Sequence, residues 1–187
     1  MIDTTLSRPS ARARLKRATD VVHQRLETRI DAIARLADPA RRGDLVRRFA
    51  CLQLPAGAAL NGELGAVEGL DAGARTDRAR FFAPGAAGQA DFPRPASRCE
   101  ALGMLYVLEG STLGGRHILN SLARQGVSDA ALNFLDPYGD QTGPRWRAFL
   151  DVLEREVGED ETRMTQAEQG ACRAFRHAET ILCGEPA

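Results

Sequence analysis

The chain carries three histidines, His23, His117 and His177, and four cysteines, Cys51, Cys99, Cys172 and Cys183. No two histidines stand four residues apart and no cysteines form a CxxC pair. Neither a zinc site made from protein ligands alone nor a local redox pair is therefore expected. A GxSxG elbow, a GxxxxGK[ST] loop and a GxGxxG turn after a strand are all missing. The run GSTLGG at 110–115 has the glycines of a phosphate loop but follows no strand. Hydrolase, kinase and dehydrogenase chemistry find no support. His23 stands out, beside Val22 and Leu26 on the edge of an apolar stripe. Lys16 and Glu27 share its side of the helix. Such a histidine is either a packed, hydrogen-bonded residue or a ligand. His117 and His177 lie beside arginines and are expected to be half exposed.

The second unusual feature is Leu102 to Asn120, LGMLYVLEGSTLGGRHILN. It reads as a helix yet holds Gly103, Gly110, Gly114 and Gly115, each costing about 1 kcal/mol relative to alanine in a helix interior. Bare backbone permits either tight packing on another helix or a flat ligand pressed against it. Apolar residues lie on nearly every side, so the helix is expected to be buried. Neutral imidazole is a standard axial ligand of haem iron. A haem also needs a close wall on its other face, which glycine backbone supplies without crowding the sixth position. His23 and this segment would make a minimal haem sandwich; a scaffold whose glycines only let helices pack is the alternative.

The elements that must position these residues are helical. Of 187 residues, 43% are hydrophobic and only 5% aromatic, and Ala, Leu, Arg and Glu dominate, which favours helix over sheet. A long amphipathic helix is expected over 10–36, with Leu15, Ala18, Val22, Leu26, Ile30 and Ile33 as its stripe. Asp38-Pro39 stops it. Residues 40–70 form a second helical region with a break or kink at Pro55 and Gly57. Residues 71–95 are loop with at most a short helix near Arg75 to Phe82. Ser97 and Glu100 offer a capping box for the glycine-bearing helix, which Gly126 ends. After a mixed connection, helices follow over 144–157 and 160–182, the last with Met164, Ala167, Ala171, Phe175, Ala178 and Leu182 on one side. The fold class is all-α, a bundle-like single domain over 1–187, with residues 1–8 loosely attached.

Lys plus Arg and Asp plus Glu are 25 each, so no global attraction to nucleic acid or an acidic membrane is expected. The basic run Arg8, Arg12, Arg14, Lys16 and Arg17 reads as a solvated helix face. No apolar run reaches the roughly 18 residues of a membrane span, and no hydrophobic signal region opens the chain. The cysteines read as small hydrophobes of a reducing compartment, and a cytoplasmic location is expected.

Two stretches resemble the haem oxygenase family, in particular its bacterial, bacteriophytochrome-associated branch. LKRATDVVHQRLE, Leu15 to Glu27, is similar to the proximal helix. LGMLYVLEGSTLGGRHI, Leu102 to Ile118, is similar to the distal helix. GACRAFRHAETIL fits the C-terminal pattern. The resemblance implies a bundle with haem between the proximal and distal helices. It implies His23 as iron ligand, Lys16 near a propionate, and Glu27 accompanying the histidine. Thr19 would contact the cofactor from the proximal side. Gly110, Gly114 and Gly115 would bend over the ring, and Phe175 would face it. Ser111 stands where many members have an aspartate that orders water near bound oxygen, as it does in that bacterial branch. Haem would be both cofactor and substrate, cleaved with O2 to biliverdin, ferrous iron and carbon monoxide. Electrons would come from a separate reductase or ferredoxin-type donor, and a phytochrome could receive the biliverdin. A haem carrier or sensor of the same fold is the alternative.

Overall fold

The computed structural model describes residues 9–184; the expected loose attachment of 1–8, and Arg8, lie outside them. Among the described residues the chain is all-α, with seven α-helices joined by loops and short 3-10 turns. α1 (Ala11–Ile30) starts at Ser10, whose Oγ accepts from the Ala13 amide at 3.3 Å. Leu15, Leu26 and Ile30 are buried as expected, but Ala18 is exposed and Thr19 takes its place in the stripe.

The expected single helix over 10–36 is two. Asp31 adopts a left-handed conformation (φ 42°) and closes α1, and α2 (Ala32–Ala37) restarts at once. Aspartate tolerates this backbone better than most side chains, so the sequence holds no glycine to mark the break. Asp38 then caps α3 (Pro39–Leu64), with Pro39 at its first position. Of the break or kink expected at Pro55 and Gly57, the break is not there: α3 runs through both. Gly57 instead lets α4 (Ala72–Thr76) approach, since a side chain there would press on the Thr76 carbonyl oxygen at 3.1 Å.

α5 (Arg98–Arg124) opens on the expected Ser97 cap, with Glu100 reaching one residue further back than a capping box would. Ser97 Oγ accepts from the Glu100 amide at 3.2 Å, and the Glu100 carboxylate accepts from the Ala96 amide at 2.6 Å. Gly126, at φ 78°, turns the chain after it. A 3-10 turn at Ala130–Leu135 leads to α6 (Thr142–Val157) and α7 (Glu161–Cys183), which Asp160 caps. The whole predicted stripe of α7, Met164 to Leu182, is buried.

α7 is the main packing partner of both α1 and α5, which share little direct packing with each other. Its crossing with α5 is backbone on backbone. A side chain at Gly103 would collide with the Ala167 carbonyl, and one at Gly170 with the Glu100 carbonyl. Arg25 and Arg29 of α1 reach Glu179 of α7 at 2.5 and 2.6 Å, and Arg14 reaches Glu161 and Glu168. Part of the basic run is therefore a clamp between helices as well as a solvated face.

Candidate functional site

Burial along α5 changes halfway, against the expectation of a helix buried throughout. Ala101 to Leu105 are fully enclosed, whereas Ser111, Leu113, Gly114 and His117 are exposed, Leu113 by 41%. The four glycines divide accordingly. Gly103 is consumed by α7. Gly115 is consumed by the 3-10 turn, because a side chain there would collide with the Leu135 carbonyl. The bare face of Gly115 is thus taken up by packing. Gly110 would make only an ordinary contact, 3.8 Å, with Trp146 of α6, and Gly114 has no heavy atom within 4 Å of an added Cβ. Packing does not explain glycine at 110 or 114.

These two residues continue a strip from Tyr106, at steps of four. Burial raises the pKa of the Tyr106 hydroxyl, and the charges of Arg12 and Lys16 on α1 pull it back. The first residue of the strip thus feels the charges of Arg12, Lys16 and Asp20 on α1, whose face also holds His23 and Glu27 by helical spacing. Trp146 closes one side through Tyr106, with ring centroids 5.5 Å apart.

His23 stands half exposed on that face, its side chain 49% accessible. Its ring leans on buried Phe175 of α7, centroids 5.2 Å apart, and Nε2 lies 3.2 Å from Glu27 Oε1. Helical spacing makes both contacts: Glu27 is one turn on, and Phe175 belongs to the buried stripe of the helix that α1 crosses. Lys16 Nζ points outward and pairs with Asp20 Oδ1 at 2.8 Å. Thr19 is buried and donates its hydroxyl to the Leu15 carbonyl at 2.8 Å, so it fills the seam under α1. His117 is exposed. His177 packs edge-on to Phe92, where burial lowers its pKa.

Ser111 sits on the flank of the strip and donates to the Leu108 carbonyl at 2.7 Å. It lines a small chamber behind α5 with Gln53, Arg75, Thr76, Arg78 and Thr112. Beneath lies a buried ionic group that sequence reading missed. Glu109, 1% accessible, takes a charge-assisted hydrogen bond from Arg75 and another from the Tyr138 hydroxyl at 2.6 Å. Arg78 donates to that hydroxyl at 2.9 Å. Burial and the Glu109 charge both push the Tyr138 pKa up. Arg75 of α4 and Arg78 lie far from Glu109 in sequence, at no helical spacing, so only the fold brings them together.

No helix of the described residues is long and apolar enough to cross a membrane. The chain matches no family model. A curated protein named heme oxygenase, from Xanthomonas campestris pv. campestris (strain 8004), is 39% identical over 94 residues. That stretch is 50% of this chain and 56% of the relative, so the chain spans little more than half the length of the relative it matches.

Proposed function

We propose that the chain is a haem oxygenase, a single domain that takes haem as substrate and cofactor and opens it with O2 to biliverdin, ferrous iron and carbon monoxide. The observation that carries this reading is the division of the α5 glycines. Gly103 and Gly115 serve packing; Gly110 and Gly114 cost about 1 kcal/mol each with no packing return and lie on an open strip. The likeness to the Xanthomonas protein supports it.

The residues present fit the group. A histidine that would hold the iron needs one nitrogen free and the other secured; His23 has Glu27 at 3.2 Å for the second and Phe175 to fix its ring. Bound haem supplies the iron and the conjugated ring on which O2 reacts. The chain's own residues bind and orient. His23 would hold the iron. Gly110 and Gly114 would present bare backbone to the ring. Lys16 would exchange Asp20 for an acidic edge of the ligand. The Ser111 oxygen, its proton already given to Leu108, accepts from water. Electrons come from a separate donor, a reductase or ferredoxin-type protein, in the cytoplasm, and a phytochrome is a fitting acceptor for the biliverdin.

A second reading, a haem carrier or sensor without turnover, draws on the Ser111 proton, which points at Leu108 and not into the open strip. Haem titration followed by ascorbate and oxygen separates the two. The oxygenase converts the Soret band to a biliverdin spectrum, a carrier keeps the band, and absence of a histidine-type Soret band sinks both.

A further inference from the structure

The chamber behind Ser111 has a charge problem that the rest of the fold leaves open. Arg75 and Arg78 are buried, 4% and 6% accessible by side chain, and the carboxylate between them is Glu109. Arg75 is fully engaged, by the Leu70 carbonyl, Glu109 and the Arg145 carbonyl. Arg78 is not. Its nearest carboxylate oxygen, Glu109 Oε1, is 3.6 Å away and already receives the Tyr138 proton. Its Nη1 is buried with no hydrogen-bond partner, and so is Oε1 of Gln53, which lines the same chamber. One guanidinium thus remains without its own counter-charge in a place where uncompensated charge costs several kcal/mol. Arg145, across the Tyr138 ring, adds to the positive field and has only Asp71, at 3.6 Å.

About 10 Å³ of the chamber is open to the centre of a water-sized sphere, room for one small guest. We propose that this guest is a halide-sized monovalent anion, chloride in the cell, held by Arg78 Nη1; the Thr76, Ser111 and Thr112 hydroxyls line the chamber but give their protons to the Ala72, Leu108 and Glu109 carbonyls, so Arg78 and the Gln53 amide are its donors. A half-turn of the Gln53 amide presents its NH2 as a further donor. The site needs no haem, and larger oxyanions do not fit.

The test is thermal unfolding of the purified full chain without haem, in sodium chloride or bromide against sodium gluconate at equal ionic strength. At ten times the dissociation constant the folding equilibrium shifts about tenfold, a rise of about 3–5 °C in Tm. Gln53→Glu places a carboxylate in the chamber and is expected to fold and to lose the chloride dependence. Arg78→Gln, where it folds, loses it too. A crystal grown in bromide is expected to show an anomalous peak beside Arg78. Equal Tm in chloride and gluconate, an unchanged chloride effect in Gln53→Glu, or water in place of bromide overturns the proposal.

Discussion

Replacing the α5 glycines one at a time separates those held by packing from those held by function. Alanine at Gly114 meets no atom within 4 Å, so the change brings only the helix gain of about 0.5–1 kcal/mol. In a chain of this size the haem-free protein should melt about 1–4 °C higher. Alanine at Gly103 brings the same gain but drives its methyl into the Ala167 backbone carbonyl, which has no rotamer to escape by. Overpacking of this kind costs about 1–3 kcal/mol or more, so a net loss of about 2 kcal/mol and a Tm lower by about 4–8 °C is expected. Gly115→Ala should behave like Gly103→Ala, because Leu135 is as close. Function runs the other way. Gly114→Leu should keep the raised Tm yet lose most biliverdin production, its side chain filling the open strip proposed for the ligand. Circular dichroism melts without haem and biliverdin yield with ascorbate and oxygen give both readouts. Parental yield from Gly114→Leu, or a Gly114→Ala protein as destabilised as Gly103→Ala, would refute the reasoning.

His23→Ala should remove the histidine-ligated haem spectrum and leave the helical far-ultraviolet signal, since the side chain is half exposed; an unchanged Soret band would shift the ligand role toward His117. Glu109→Gln leaves Arg75 and Arg78 unpaired in the interior and should cost about 3–5 kcal/mol in denaturant unfolding; a loss below 1 kcal/mol would mean that water reaches the pair. Arg25 and Arg29 hold the Glu179 carboxyl below its ordinary value of 4.5. The stability from this clamp is complete above that pH and fades as pH falls through the lowered value. Glu179→Gln should therefore flatten the acid side of the stability curve, and identical acid limbs for variant and parent would remove the clamp from the account.

The helices were legible because their causes are local. The stripe of α7, the Ser97 cap and the stop at Asp38-Pro39 follow from spacings of three and four residues. The break at Asp31 was hidden because a left-handed aspartate leaves no mark in composition, and α3 passes Pro55 because its flanks are held by packing. At the site, His23 and Glu27 one turn apart could be read directly, and the contact with Phe175 rests on the fold that the resemblance implied. The glycines could be counted but not sorted, since whether a bare backbone faces a carbonyl or open space depends on partners 20 to 64 residues away. The Arg75, Arg78, Glu109 and Tyr138 group was invisible for the same reason.

The mutual contact of Gly103 with Ala167 and of Gly170 with Glu100 is one seat for α5. The contact of Gly115 with Leu135 is a second seat, twelve residues beyond Gly103 and about 18 Å along α5. Held at both points, the helix behaves as a beam, and Gly110 and Gly114 lie on the span between its supports. The strip therefore widens only if the seat at Leu135 yields, and a substitution at either support will be felt at the strip without touching it.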